Sequence, residues 1–280
     1  MKLTCLAPAK LNLFLHVVGR RSDGYHLLQT LFRFISLYDT LHFNLRKDGE
    51  VHRTNQIEGV AEQQDLCVRA ACLLKSETGC RLGVDITLEK YIPMGGGLGG
   101  GSSDAATTLI ALNRLWELGL SRERLMQLGL SLGADVPVFV FGENAFAEGV
   151  GEQLQAYPLP EAWYVLLFPP VHVPTAEVFS HPELTRDTVS ITMRALESRQ
   201  KQQLRNDLQS VVCTLYPDVA NYMAWLNNFG EAKMTGSGAC VFVEFSSQSQ
   251  AEVVLQQLPQ EMRGVVTQGL AKHPLHDWVL

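Results

Sequence analysis

The sequence predicts an α+β fold in two parts, residues 1–158 and 159–280, and three observations carry that prediction. Stretches with the period of two that marks strands are interleaved with longer stretches of helical period, in no regular β-α-β alternation. A chain of 280 residues, 46% hydrophobic and 19% charged, holds enough apolar material for one large core or two medium ones. Around Pro158 and Pro160 a Pro-flanked turn precedes a fresh apolar stretch, which places the boundary there and lets each part carry a sheet.

The first element is a strand over 10–18. Leu11, Leu13, Leu15 and Val17 fall on one face, and Lys10, Asn12, Phe14 and His16 on the other. Ser22-Asp23-Gly24 supplies a turn, strands follow over 27–34 and 40–45, and Lys47-Asp48-Gly49 closes the second. Residues 66–75 have a helical pattern and 83–89 a strand pattern. A glycine-rich segment then opens into an apolar helix over about 104–118, ending at Gly119, and Ser121 caps a further helix that runs to about Leu132. Gly133-Ala134-Asp135-Val136-Pro137 leads into a short apolar strand over 138–141. Beyond the boundary the pattern reads as strand 163–168, helices of about 191–215 and 219–229, strand 241–245, helix 248–258 and strand 264–269.

Composition removes several classes of function. The formal net charge is −6 and no run of Lys and Arg occurs, so nucleic acid and anionic membrane surfaces do not fit as partners. A small anionic ligand does fit, because one loop and one or two lysines can hold it. Cys5, Cys67, Cys72, Cys80, Cys213 and Cys240 form no C-x-x-C pair in a chain too large to need disulfide staples, which suits reduced thiols in a cytoplasmic protein. The apolar N-terminal stretch is too short for a secretion signal and is broken by Pro8 and Lys10. The longest later apolar run, 162–168, is far below the roughly 20 residues that span a bilayer. Oligomeric state is left open, a homodimer included.

The strongest chemical signal is Pro93-Met94-Gly95-Gly96-Gly97-Leu98-Gly99-Gly100-Gly101-Ser102-Ser103. A run with so few side chains lets backbone N–H groups approach an anion, and the following helix brings its positive end to the same point. Ser102 or Ser103 is the expected helix cap, with a hydroxyl for a phosphate or a metal ion. A flexible linker is the bland alternative, but linkers are seldom flanked by a buried-type strand and a long apolar helix. In the Walker A frame Gly96 to Ser103, Ser102 stands where the lysine belongs. Gly95-x-Gly97-x-x-Gly100 matches a dinucleotide fingerprint, but no doubly wound sheet supports it.

This loop resembles the phosphate loop of the superfamily of kinases for galactose, homoserine, mevalonate and phosphomevalonate. Pro8-Ala9-Lys10-Leu11-Asn12-Leu13 and Thr235-Gly236-Ser237-Gly238-Ala239-Cys240 match the superfamily's other two motifs, in the right order. Asp23-Gly24-Tyr25-His26 and Gly133-Ala134-Asp135-Val136-Pro137 are similar to the branch whose acceptor is 4-diphosphocytidyl-2-C-methyl-D-erythritol, in non-mevalonate isoprenoid precursor biosynthesis. The resemblance runs over essentially the whole chain. It implies an N-terminal ATP- and substrate-binding domain like the second domain of ribosomal protein S5, and a ferredoxin-like C-terminal domain. It also implies transfer of the γ-phosphoryl of ATP, bound with Mg2+, to the carbon-2 hydroxyl of that acceptor.

By the same resemblance Asp135 is the base that takes the hydroxyl proton, and Lys10 pairs with it and stabilises the moving charge. Their bland readings are a turn aspartate before Pro137 and a solvated strand-end lysine. Asn12 shares the strand face of Lys10 and joins the substrate side. Tyr25 and His26 resemble the cytidine-binding pair, with Phe179 stacking on the base, Thr175 four residues earlier, and Phe32 in the same pocket; core aromatics are the commoner fate of such residues. Lys90 resembles the lysine near the adenine, and the loop from Pro93 to Ser103 takes the phosphates. Magnesium comes with ATP, Ser103 being the side chain implied beside it. Asp65 stands where this branch usually carries Asn; an ionised Asp only accepts hydrogen bonds, so the adenine end departs from the pattern. His273-Pro274-Leu275-His276 lacks the carboxylate or Cys support of a metal site. Another kinase of the superfamily and an inactive nucleotide-binding module are the rival readings. Tyr25, His26 and Phe179 argue against the first, and the joint presence of Lys10 and Asp135 against the second.

Overall fold

A computed structural model describes residues 1–197 and 204–279. The first part runs β1 (Lys2–Arg20), β2 (His26–Arg46), β3 (Val51–Arg53), α1 (Leu66–Thr78), β4 (Gly83–Glu89), α2 (Gly100–Leu115), α3 (Arg122–Leu132), α4 (Val136–Phe141), β5 (Ala145–Glu148) and β6 (Gln153–Ala156). The second runs β7 (Trp163–Leu167), α5 (Thr175–Ser180), α6 (Met193–Glu197), α7 (Gln209–Leu215), α8 (Pro217–Leu226), β8 (Lys233–Met234), β9 (Val241–Phe245), α9 (Gln248–Leu255) and β10 (Gly264–Leu270). Among the described residues no helix is long and apolar enough to cross a membrane.

The first part is built on one long hairpin. β1 pairs antiparallel with β2 from Lys2↔Asn44 to Arg20↔His26, and the register shifts at Pro8/Ala9, Asn12/Leu15 and Val17/Gly19. Pro8 cannot donate to the ladder, so a shift beside it costs no hydrogen bond. The strands expected over 27–34 and 40–45 are one continuous β2. Helices α1 and α2 lie on this sheet around a core that includes Phe34, Phe43, Leu74, Leu109 and Phe139. In the second part α7, α8 and α9 cover β7 and β9 around Val165, Val212, Leu226 and Val243.

β10 joins the two parts. It pairs with β7 over Gly264–Gln268, and with β2 at Gly269↔Ile35 and Leu270↔Phe34. A third cluster, with Leu11 and Ile35 from the first part and Tyr164, Leu166 and Phe242 from the second, packs beneath this junction. The two parts therefore share a sheet and a core.

The chain departs from the sequence expectation at three places that matter for function. Residues 138–141, expected as a strand, are the α-helix α4. Pro137 sits in its first turn, Gly142 closes it in the left-handed region, and burial of Val136 through Val140 hides any helical period. The helix expected over 191–215 is not continuous in its described portions, and residues 198–203 lie outside them. Between α6 and α7, Leu15 N donates to Arg205 O, Asp207 N donates to Leu15 O, and Asn206 bridges to Leu15, so this stretch pairs with β1. Helix α2 begins at Gly100, four residues before the expected start, which places Ser102 and Ser103 inside it.

Candidate active site

A cavity of about 660 Å3 opens where the two parts meet. Lys10 and Asn12 of β1, the glycine loop and Asp135 wall it from the first part, Thr175, Phe179 and Ser237 from the second. The glycines serve two separate needs. Gly95, Gly97 and Gly99 have φ of 71°, 75° and 71°, the left-handed region that side chains disfavour. Gly96 and Gly97 are also pressed against the second part: a Cβ at Gly96 would lie 2.6 Å from Cys240 Sγ, and one at Gly97 2.2 Å from Thr235 O. Cys240 N donates to Gly96 O at 3.2 Å. Burial pushes the Cys240 thiol up to about 12, so it packs as an apolar group.

Gly99 caps α2 without a side-chain bond, and Ser103 N donates back to Gly99 O at 2.8 Å. The N–H groups of Gly100, Gly101 and Ser102 thus have no intrahelical partner, at the positive end of a 16-residue helix. This arrangement corrects the expected cap: neither serine is the cap. Ser103 is fully buried and its hydroxyl donates to Pro8 O at 2.7 Å, so the Ser103 side chain is withdrawn from any ligand or metal. Ser102 remains in the cavity wall.

Lys10 is buried, with 3% of its side chain exposed, and its ammonium has three partners. It donates to Asn12 Oδ1 at 2.6 Å and to Gly97 O at 3.0 Å, and lies 3.3 Å from Asp135 Oδ2. Asp135, ahead of α4, keeps 36% of its side chain exposed toward the cavity. Asn12 is fixed in turn: its Nδ2 donates to Thr30 Oγ1 at 2.9 Å and its backbone N–H to Thr235 Oγ1 at 3.0 Å. Thr235 also donates toward Gly97 O at 3.3 Å, and Asn206 Nδ2 donates to Met234 O and Gly236 O, each at 2.8 Å. One network therefore sets β1, the glycine loop and the Thr235-Gly236 turn together.

One end of the cavity is an apolar slot with Ile57, Val60, Leu66 and Leu88 beside Asp65 and Lys90. Asp65 is the N-cap of α1: Oδ1 accepts from Cys67 N and Oδ2 from Arg53 Nη1, both at 2.7 Å. Both of its oxygens are already engaged. Lys90 sits between Asp39 and Asp104, donating to Asp104 Oδ2 at 2.7 Å. Burial drives its pKa down, but the charges of Asp104 and Asp39 outweigh this and hold it above the ordinary lysine value. Burial pushes Asp104 up to about 8 against the pull of Lys90. With two of its three N–H groups engaged, Lys90 has one left.

At the other end Phe32, fully buried, carries Lys10 Nζ 5.5 Å from its ring centre. Phe179 and His26 lie 4.9 Å apart between ring centres, tilted by 33°. Tyr25, next to His26 in the chain, is 65% exposed, an open aromatic face rather than a core residue; of these three only Phe179 lines the cavity itself. Thr175 Oγ1 is 2.8 Å from Ser237 Oγ, and so stitches α5 to the turn after β8. His273, away from this cavity, accepts from Leu275 N at 3.0 Å with Nδ1 and lies 3.4 Å from Thr107 with Nε2. Sequence reasoning missed Arg53, Asp104, Arg186 and Asn206. Only Asp104, an acid near the start of the helix after a glycine loop, carries a local signal; Arg53 gains its meaning from Asp65, twelve residues on, and Arg186 and Asn206 from partners far along the chain.

The fold and site define a class of protein. The chain belongs to the GHMP kinases: the family's N-terminal domain model matches residues 65–143 and its C-terminal model residues 186–264. These are ATP-using small-molecule kinases that act on an alcohol. Within the family it is 59% identical over 280 residues to the 4-diphosphocytidyl-2-C-methyl-D-erythritol kinase of Nitrosospira multiformis, covering 99% of this chain and 94% of that one. The protein of the same name from Thiobacillus denitrificans is 59% identical over 273 residues, covering 98% and 97%. The crystal structure of a 4-(cytidine 5'-diphospho)-2C-methyl-D-erythritol kinase superposes with a TM-score of 0.82 at 35% identity, covering 96% of this chain and 100% of that one.

Proposed function

We propose that the chain transfers the γ-phosphoryl group of ATP to the carbon-2 hydroxyl of 4-diphosphocytidyl-2-C-methyl-D-erythritol, in non-mevalonate isoprenoid precursor biosynthesis. The observation that carries this reading is the Lys10–Asp135 pair, 3.3 Å apart beside Gly97 of the glycine loop, in the cavity that also reaches Phe179. The N–H groups of Gly100, Gly101 and Ser102 take the nucleotide phosphates at the positive end of α2. Asp135 accepts the hydroxyl proton as the carbon-2 oxygen bonds to the γ-phosphorus. The bond from that phosphorus to the bridging oxygen breaks, and ADP leaves with the electron pair. Lys10, fixed by Asn12 and Gly97, stabilises charge on the phosphoryl oxygens.

Among the described residues no three acids, histidines or cysteines converge to cage a metal ion. A magnesium ion arriving with ATP would be held chiefly by phosphate oxygens, and the Ser102 hydroxyl in the cavity wall is the side chain that would fit beside it. When bound, it neutralises phosphate charge. Tyr25, His26 and Phe179 hold the cytosine ring, and the slot beside Asp65 and Lys90 holds adenine.

Phosphorus NMR tests the reading directly. With Mg-ATP and the cytidine diphosphate acceptor, ADP and a new phosphate monoester are expected together. Absence of the ester, with turnover of homoserine or mevalonate instead, overturns it.

A further inference from the structure

Arg186 belongs to no motif in the sequence, yet its guanidinium bonds both Phe179, which lines the cavity, and His26, whose ring lies against Phe179. Nε donates to His26 Nε2 at 3.2 Å. Nη2 donates to Phe179 O at 3.0 Å and His181 O at 2.7 Å, and Nη1 to Leu184 O at 3.0 Å. Four bonds thus leave one rigid, planar group whose five N–H donors have fixed directions. His26 lies at the start of β2 in the first part of the chain. Phe179 lies in the last turn of α5 in the second, and Arg186 takes its carbonyl together with those of His181, the C-cap, and Leu184 in the loop that follows.

We infer that Arg186 is a positioning residue for the acceptor's base: it fixes the separation of His26 and Phe179 and the tautomer of His26. The inference rests on the reading that the cytosine ring lies against Tyr25, His26 and Phe179. The tautomer follows from the direction of the bond. A guanidinium only donates, so Nε2 must accept, and the ring proton of neutral His26 resides on Nδ1. Nδ1–H is then the ring's remaining polar group, a donor. His26 is held neutral at physiological pH, because partial burial and then the nearby cations Arg186 and Arg20 move it below its ordinary value.

The spacing has a separate physical reason. α5 has six residues, too few to be stable unaided, and Phe179 sits near its end. Thr175 to Ser237 and Tyr216 to Glu177 tie its start, at 2.8 Å and 2.6 Å. Arg186 ties its finish. Without that tie the aromatic wall must be ordered by the ligand, at a cost in binding rather than in the chemical step.

The test uses Arg186→Gln and Arg186→Lys in the full chain, with cytidine 5'-monophosphate as base probe. In the unsubstituted protein the probe should perturb the NMR signals of His26, and the His26 ring nitrogens should report a single Nδ1–H tautomer. Arg186→Gln should raise KM for the cytidylyl acceptor about 10- to 100-fold while kcat and KM for ATP stay within about twofold. Its His26 nitrogens should report mixed tautomers, and Arg186→Lys should recover part of the KM. If the probe leaves His26 untouched, the base-site reading falls and takes this inference with it. If the probe perturbs His26 but Arg186→Gln keeps acceptor KM and tautomer, the inference alone falls. Equal movement of both KM values with the melting temperature also overturns it, because that marks a merely structural role.

Discussion

Replacement of Gly97 by Ala tests whether the phosphate loop is seated by the second part of the chain. The residue has φ of 75°, and a left-handed L-residue costs about 1–2 kcal/mol. The added Cβ would also lie 2.2 Å from Thr235 O and 3.2 Å from Gly238 O, both backbone atoms that cannot swing aside. Relieving such an overlap costs about 1–3 kcal/mol, so the total is roughly 2–5 kcal/mol. The relief must come from moving the loop, and Gly97 O is an acceptor of both Lys10 and Thr235. A shift of about 1 Å there displaces Lys10 from Asp135 and lowers kcat by about 100-fold. Gly119 supplies the internal control: its φ is 67°, but nothing lies within 4 Å of its would-be Cβ. Gly119→Ala should therefore show the backbone cost alone, about 1–2 kcal/mol, with full kcat. Chemical denaturation and steady-state kinetics on both variants make the comparison. If Gly97→Ala is no less stable than Gly119→Ala and keeps kcat, the loop is not seated on Thr235 and the reasoning fails.

Three further predictions follow from the same geometry. Asp135→Asn should leave ATP binding nearly intact and lower kcat by about 10²–10⁴-fold, the usual worth of a general base; near-normal kcat removes Asp135 from that role. Arg53→Leu strands the buried carboxylate of Asp65 and should destabilise the chain by about 3–5 kcal/mol and raise KM for ATP. Adding Asp65→Asn to it should recover most of both losses, measured by denaturation and kinetics, and purely additive effects would contradict the pairing. Burial pulls His273 down to about 3, so it is neutral in the folded chain. Unfolding lets it take up a proton once the pH falls below about 6.5, so its contribution is complete above that value and is lost as the pH drops toward 3. Unfolding free energies between pH 4 and 7 should show this loss, and His273→Gln should flatten the slope.

Residues with a local cause were legible in the sequence, and those with a distant one were not. The strands Gly83–Glu89 and Val241–Phe245 were readable to the residue, because β-branched and aromatic residues are bounded by polar turns. Ser121 capped its helix as its side chain predicts, accepting from Arg124 N. Val138–Phe141 failed because the unbroken buried apolar run Val136–Val140 has no period to read. The stretch around Asn206 failed because its partner is Leu15, nearly two hundred residues away in sequence. The site divides in the same way. Lys10, Asn12 and Asp135 line one cavity, whereas Asp65 is already occupied by Arg53 and by its own helix. Ser103, chosen for its hydroxyl, spends that hydroxyl on Pro8.

The glycine loop shows why a motif can be right about chemistry and incomplete about cause. Freedom for an anion accounts for glycine at the head of α2, where N–H groups lack partners. It does not account for Gly96 and Gly97, whose missing side chains make room for Cys240 and Thr235. Those contacts make the phosphate site a joint product of both parts of the chain. A displacement of the Thr235-Gly236 turn must move Gly97, and with it the carbonyl that holds Lys10 near Asp135. The same turn reaches α5 through Ser237 and Thr175, and α5 carries Phe179. The ends of the cavity proposed to take the phosphates and the acceptor's base are therefore joined through one short turn. Substitutions in that turn should disturb the two ends together, whereas those at Arg186 should disturb one.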